Sequence, residues 1–146
     1  MREIWSYLQM AIAAVGGWLG WFFGGYDGFL YALITFVVVD YVTGVMVAII
    51  DKRLSSDIGA RGIFKKVLIF TLVGVAHIID SRIIGDGSAI RTAVIFFYLS
   101  NEGISIIENA SRIGLPIPKK LTDVLAQFNG KAEEKKDETN RKIYDQ

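Results

Sequence analysis

The chain has 146 residues, a formal net charge of +1 and an apolar fraction of 52%, with no cysteine and one histidine. The lack of cysteine excludes disulfides and thiolate metal sites, and a single histidine argues against a His-based metal site or catalytic triad. We therefore expect no enzymatic activity and no cofactor. The mean hydropathy of +0.39 is high for a soluble domain and favours a membrane protein.

Two apolar runs open the chain. They cover residues 4–26 and 28–50, each 23 residues long, and Asp27 and Asp40 are the only charges from Ile4 to Ile50. A helix of this length measures about 34 Å and crosses a hydrocarbon core of about 30 Å. Asp27 lies between the runs in a glycine-rich turn. Asp40 lies in the middle of the second run, where an ionised carboxylate needs a partner or water.

The third predicted span covers residues 63–84. Lys65 and Lys66 lie near its start. We expect both lysines to extend toward the interface, so that the aliphatic stems are buried while the charges stay in water.

The fourth predicted span, residues 90–110, is amphipathic. Its polar side chains recur at three- and four-residue steps, which places them along one stripe of a helix. They are Tyr98, Asn101, Glu102, Ser105, Glu108 and Asn109. In a membrane such a stripe must meet protein or water, and four short helices in one monomer bury it poorly, so an oligomer or an aqueous lumen is expected. A helix lying at the interface is the alternative.

The basic residues are distributed unevenly. In a four-span arrangement, fourteen of the 16 Lys and Arg lie at the N-terminus, between spans two and three, or in the tail, and only Arg82 and Arg91 lie on the opposite side. The positive-inside rule then places both termini in the cytoplasm. We predict an all-α, multi-pass protein of the cytoplasmic membrane, with about four short transmembrane helices.

The predicted membrane domain covers residues 1–112, and residues 113–146 form a basic, polar and flexible cytoplasmic tail. Gly114, followed by Pro116 and Pro118, suits a helix C-cap and chain break. A short amphipathic helix is predicted at residues 119–128.

A stripe of glycines runs along the first span. Gly16, Gly20 and Gly24 are four residues apart and leave one helix face bare, which lets a second backbone approach closely. The partner is either the second span of the same monomer or a neighbouring subunit. Gly44 is a further helix-packing candidate in the second span.

Asp40 shares a helix face with Thr43, and Glu102 lies at a similar depth in the fourth span. The two acids could therefore form one polar layer. Asp40 is interpreted as a proton or ion site, as an interhelical hydrogen-bond partner, or as a pore-facing group.

Three strings of the sequence resemble a known family. They are Asp40–Gly44 (DYVTG), the glycine- and lysine-bearing segment Leu54–Lys66, and Asn101–Leu121 with its NEGISIIEN and GLPIPKKL pieces. These strings resemble the small phage holins of the toxin-secretion and phage-lysis type from Gram-positive bacteria and their phages, and the likeness runs from about Gly28 to Leu125.

The resemblance implies a protein that oligomerises in the cytoplasmic membrane and opens a lesion. A cell-wall hydrolase (endolysin), or in some relatives a large toxin, then leaves through it. The implied partners are the lipid bilayer and further copies of the chain, with no nucleic acid. Two other functions remain open: a small ion or proton channel or transporter that uses Asp40 and Glu102, and a membrane scaffold whose basic tail recruits a partner.

Overall fold

A computed structural model describes residues 1–85, 87–121 and 123. Within them the regular secondary structure is entirely helical, with no strand, so the predicted all-α class is confirmed. The helices are α1 (Arg2–Phe22), α2 (Gly28–Ile50), α3 (Ser56–Ile78) and α4 (Ala89–Ile113), and a π-helical turn, Ile79–Ile84, continues α3.

The helix ends follow local capping chemistry. The Asp27 carboxylate accepts a hydrogen bond from the Leu30 N–H at 2.9 Å and so caps α2. The Ser55 hydroxyl accepts from the Ile58 N–H at 3.3 Å and caps α3. Gly114 closes α4 in the left-handed region at φ 103°, so the predicted C-cap is confirmed.

The third helix is longer than the sequence predicted. It begins at Ser56 rather than at Ile63, and only residues 51–55 connect α2 to α3. The Ser55 cap and the acidic Asp57 in the first turn both favour a helix start at this point. Arg61 therefore lies on a helix and not in a loop.

Three helices in the described part of the chain are long and apolar enough to cross a membrane. They are Gly28–Ile50, Ser56–Ile84 and Ala89–Ile113. The sequence predicted four spans, and three helices are long and apolar enough to be spans. Helix α1 is the exception, because glycine, tryptophan and polar residues lower its mean hydropathy. Whether α1 also crosses stays a prediction.

Helices α2, α3 and α4 enclose one core, and α2 and α4 form the most extensive pair. The buried residues that form the contiguous core cluster are Leu30, Leu33, Val37, Ile69, Val73 and Ile95. By contrast, α1 has no buried residue and contacts α3 at its C-terminal end.

The bundle has two ends. The turn end carries the α1–α2 turn (residues 23–27) and the π-helical turn, and the tail end carries the α2–α3 loop and the end of α4. The predicted tail, apart from its first residues, and most of the predicted helix 119–128 lie outside the described residues.

Candidate functional site

A lysine lies between two carboxylates in the tail-end half of the bundle. Lys66 of α3 donates from Nζ to Asp40 Oδ2 of α2 at 2.5 Å, and also to Glu102 Oε2 of α4. The three side chains are 17%, 14% and 8% exposed for Lys66, Asp40 and Glu102, respectively. Each helix of the core therefore contributes one charge to the same point.

An amide and a hydroxyl complete this group. Asn109 Nδ2 donates to Asp40 Oδ1 at 3.2 Å and to Thr43 Oγ1 at 3.0 Å. Thr43 in turn donates to the Val39 carbonyl at 2.9 Å. We name Lys66, Asp40, Glu102, Asn109 and Thr43 the Lys66 cluster. In the described part of the chain, every buried side-chain polar atom has a hydrogen-bond partner.

The charges of the Lys66 cluster do not balance. With all three groups ionised, two carboxylates face one ammonium, which leaves one excess negative charge in a largely buried position. A shared proton removes this excess charge, and access to water lowers its energetic cost. The cluster can therefore join the three helices while it is closed, and it can hydrate when the helices separate.

The predicted polar residues fall into two groups. Asp40, Thr43, Glu102 and Asn109 converge on Lys66, and Gly44 lies beside Asn109, whose Nδ2 is 3.7 Å from the position of an added Cβ. Ser105 and Glu108 line an adjacent cavity.

The other two members of the stripe do not join the cluster. Asn101 is exposed, and the Tyr98 ring lies edge-on to Phe97 with centroids 5.1 Å apart. The expectation that one monomer cannot bury the polar stripe is wrong at Glu102, which is 6% exposed in a single chain. The reason is that the chain itself supplies Lys66 as a partner.

The prediction that Lys66 extends to the interface is also wrong, although Lys65 is exposed as expected. A sequence signal for this was present. Counting from Lys66, the buried residues Ile69, Val73 and Ala76 recur at helical spacing, so Lys66 lies on the buried face of α3.

A second polar group lies at the turn end. Arg91 of α4 is 3% exposed. It donates from Nε to the Phe23 carbonyl at 2.5 Å, from Nη2 to the Gly25 carbonyl at 3.1 Å and from Nη1 to Asp27 Oδ2 at 2.6 Å. We name this arrangement the Arg91 clamp. The sequence placed Arg91 with Arg82 on the side of the membrane opposite the termini, which stays a prediction. The structure adds that Arg91 is buried in the first turn of α4, because it binds the α1–α2 turn.

Two carboxylates support the clamp. The Asp80 side chain, 1% exposed, accepts from the backbone N–H groups of Ile90 at 3.2 Å and Arg91 at 2.8 Å, which satisfies the first turn of α4. The hydrogen bond from Arg91 holds the pKa of the Asp27 carboxyl below its usual value, against the opposing effect of burial.

The glycine stripe of α1 is partly covered by the chain itself. An added Cβ at Gly20 would lie 2.7 Å from Tyr26 Cε2, and the Tyr26 hydroxyl donates to the Gly16 carbonyl at 2.8 Å. Gly24 lies in the turn at φ 77°, beside His77. An added Cβ at Gly16 would meet nothing within 4 Å. A subunit interface along the stripe stays a prediction.

Comparison with known proteins gives one family and several relatives. Residues 17–130 match the bacteriophage holin family. The chain is 42% identical over 132 residues to an uncharacterized 14.9 kDa protein in the nagH 3′ region of Clostridium perfringens, covering 90% of this chain and 99% of that protein.

Further relatives come from other bacteria. An uncharacterized protein of Listeria innocua is 41% identical over 133 residues, covering 89% of this chain and 94% of the relative. The uncharacterized protein YqxH of Bacillus subtilis is 33% identical over 119 residues, covering 82% and 84%. No solved structure gives a significant match.

Proposed function

Because this chain belongs to the bacteriophage holin family, we propose that it assembles in the cytoplasmic membrane and opens a lesion there. A cell-wall hydrolase (endolysin), or a toxin, is the cargo that leaves through the lesion. The three apolar helices agree with a membrane location. The hydrolase or toxin is a functional partner, and no contact between it and this chain is required.

The Lys66 cluster is the observation that best supports a mechanism for opening the lesion. It links α2, α3 and α4 through one lysine, so separating any two of these helices breaks an ion pair. In hydrocarbon, removing one partner from a buried pair costs about 3–5 kcal/mol, because an uncompensated charge remains. In water the same separation costs little. The cluster therefore stabilises a closed monomer until its polar faces meet water.

In the open assembly, the polar faces of α2, α3 and α4 from several copies line a common aqueous space. Asp40, Lys66 and Glu102 are then hydrated rather than paired. The apolar exterior of each bundle faces lipid or the next copy. Helix α1, which has no buried residue, is the assembly surface in this scheme.

The orientation depends on α1. If α1 crosses, the chain spans the membrane four times, with both termini in the cytoplasm, as the distribution of Lys and Arg favours. If α1 lies at the surface, the termini lie on opposite sides. Labelling of a single cysteine introduced at Arg2 or at Ser111, from outside intact cells, distinguishes these arrangements. This chain has no natural cysteine to interfere.

Inducible expression in a bacterium tests the function. Membrane potential, viability and release of a co-expressed hydrolase are followed after induction. We expect the unchanged chain to collapse the membrane potential abruptly and to release the hydrolase. Dense expression that leaves membrane potential and viability intact, with no release, contradicts the proposal.

The variant Lys66→Gln tests the role of the cluster. Without the ammonium, Asp40 and Glu102 repel one another in a buried site. We therefore expect the membrane potential to collapse earlier after induction, at an equal level of protein. Arg61→Gln is the matched control, since Arg61 is an exposed cation on the same helix. An unchanged onset time for Lys66→Gln would refute the closed-state role.

A triple variant separates the charge effect from misfolding. Asp40→Asn, Lys66→Gln and Glu102→Gln together keep the shapes and remove all three charges. We expect the onset to return to that of the unchanged chain or later, because no unmatched charge favours opening. Immunoblots of membrane fractions check that all variants accumulate equally.

A selective proton or ion pathway is the second candidate, and the excess carboxylate of the Lys66 cluster favours it. In that case Asp40→Asn abolishes flux while assembly remains, and the leak is selective for one ion. A holin lesion instead passes a folded hydrolase. Parallel measurement of ion flux and hydrolase release decides between the two functions.

A further inference from the structure

A cavity of about 370 Å³ opens beside the Lys66 cluster at the tail end. It lies between α2, α3 and α4. Asp40 and Lys66 form one part of its wall, and the α2–α3 loop residue Leu54 lies on another part. The Lys66 cluster explains the buried charges but leaves this space and its remaining polar lining without a role.

Glycines keep the cavity open. An added Cβ at Gly59 would meet the Tyr41 hydroxyl only at 3.7 Å, and one at Gly44 would meet Asn109 Nδ2 at 3.7 Å. Neither helix backbone is pressed against its neighbour at these points. The missing side chains at these two glycines therefore create room. At Gly62, by contrast, an added Cβ would lie 3.3 Å from Tyr41 Cε2, which marks a close contact between the helices.

The wall carries two cations that are not used elsewhere. Lys65 and Arg112 line the cavity, are exposed, and form no ion pair with any residue that the structure describes. Lys66, by contrast, is paired with Asp40 and Glu102. The remaining acid of the wall is Glu108, which is also exposed and forms no ion pair among the described residues.

The balance of these charges fits an anion. Once a shared proton neutralises the Lys66 cluster, the two unpaired cations and the one unpaired carboxylate of the lining leave one positive charge, which a phosphodiester with its single negative charge neutralises. Lysine and arginine are the side chains that bind phosphate oxygens, and arginine does so with two parallel hydrogen bonds. The Ser105 hydroxyl, which also lines the cavity, is a further donor.

The cavity also has apolar lining residues. Val45, Ala48, Leu54 and Ile58 line it, and Leu54 and Ile58 are 52% and 50% exposed. A ligand with one phosphate and one hydrocarbon part matches both the charged and the apolar lining residues. Basic pockets between membrane helices at a cytoplasmic interface bind lipid headgroups in this way.

We propose that the tail-end cavity binds a phosphate-bearing ligand, with the phosphate between Lys65 and Arg112, and that this ligand is the headgroup of an anionic phospholipid. The site joins α2, α3 and α4 next to the Lys66 cluster. A lipid bound there stabilises the closed bundle. The inference concerns ligand binding by the monomer and does not depend on lesion formation.

Ligand-dependent thermal stability of the purified full chain in a neutral detergent tests the site. The probes are short-chain phosphatidylglycerol, inorganic phosphate, and diacylglycerol with the same chains. A ligand that binds only the folded state raises Tm with its concentration. We expect phosphatidylglycerol to raise Tm, and diacylglycerol to have no effect.

Variants locate the effect. Lys65→Gln and Arg112→Gln should each weaken the apparent affinity by about tenfold, as expected for loss of a charged hydrogen bond. Arg61→Gln has the same charge change on an exposed position outside the cavity and should leave the affinity unchanged. Gly59→Leu fills the cavity without changing charge and should abolish the shift, even if a charge variant folds poorly.

The outcomes separate the possible sources of phosphate. An equal shift with inorganic phosphate keeps the anion site but overturns its assignment to a lipid. No shift with any phosphate probe, or an equal loss in Arg61→Gln, overturns the site itself. Because no step of this experiment measures permeabilisation, a negative result here leaves the proposed lesion intact, and the converse also holds.

Discussion

Helix α1 and the α2–α4 bundle are both apolar, yet they are stabilised in different ways. The bundle buries six core residues and joins its helices through charged groups at both ends. Helix α1 buries none of its residues and is held only near its C-terminal end. Apolar composition therefore does not by itself create a packed helix, because lipid solvates an apolar surface as well as a protein core does.

This difference indicates separate structural roles for the bundle and for α1. The bundle forms its core cluster and its buried ion pairs within one chain. The surface of α1 is left for lipid or for another copy. The two regions meet at the Arg91 clamp, at the contact of Phe22 with Gly74, and where Phe23 packs against Phe70.

All three tryptophans lie on α1, so the attachment of α1 can be measured separately from the folding of the bundle. Tryptophan emission reports on α1, while far-ultraviolet circular dichroism reports on all helices together. The two signals should separate whenever a change detaches α1 and leaves the bundle folded.

The largest effect is expected from Arg91→Ala. The change removes three hydrogen bonds to the α1–α2 turn and leaves the Asp27 carboxylate without its partner. We expect the free energy that holds α1 and its turn against the bundle to fall by about 3 kcal/mol. This value is at the low end for breaking a buried pair, because the Asp27 side chain is 43% exposed. Tryptophan emission should change at lower denaturant concentration than the helical signal.

Arg82→Ala is the control for this change, since Arg82 is an exposed arginine of the π-helical turn with no ion pair in the described part of the chain. It should leave both transitions in place. Loss of both signals in a single shared step for Arg91→Ala would show that α1 and the bundle unfold as one unit. That result contradicts separate stabilisation of the two regions.

A smaller effect is expected from Gly74→Ala. An added Cβ would lie 2.0 Å from Cε1 of the Phe22 ring, so the ring must leave its place on α3. Overpacking of this kind costs about 1–3 kcal/mol. We expect the tryptophan emission of the folded protein to change, while the thermal transition followed by circular dichroism shifts little.

Gly16→Ala is the matched glycine variant, because an added Cβ there meets nothing within 4 Å. It should leave the monomer unchanged or slightly stabilise α1, since alanine favours a helix by up to about 1 kcal/mol over glycine. Cross-linking of the same variant in membranes tests the glycine stripe. A reduced yield of oligomers supports a subunit interface, and an unchanged yield argues against one.

The smallest effect is expected from pH. Arg91 lowers the folded-state pKa of Asp27 below 3.8, so the ionised pair contributes stability above that value and loses it as the pH falls through the folded-state pKa. Screening by solvent limits the contribution to below about 1 kcal/mol. Tryptophan emission between about pH 6 and pH 2.5 should show weaker attachment of α1 at the acidic end.

Asp27→Asn provides the reference for this titration. Asparagine preserves the N-cap of α2 and cannot titrate, so the difference between the two curves isolates the carboxylate. If both proteins show the same acid-induced change in emission, other carboxylates cause it and the Asp27–Arg91 pair does not hold α1.

The amino-acid sequence by itself determined the helical class, three of the spans and the chain reversals. Apolar length and helical periodicity are local properties, and so are the cap at Gly114 and the glycine-rich turn around Asp27. The strings around Asp40 and Asn101–Leu121 also indicated the family, which the match over residues 17–130 confirms. The depth of Asp40 and Glu102 was sufficient to suggest one polar layer.

Only the tertiary structure decided which charges meet. Lys66 lies 26 residues from Asp40 and 36 from Glu102 along the chain, and Arg91 lies 64 residues from Asp27. The direction of a lysine at a helix end depends on which helices flank it, so the sequence favoured the interface while the structure placed Lys66 in the core. For the same reason, the sequence could not separate α1 from the bundle: hydropathy measures transfer from water and not contact between helices.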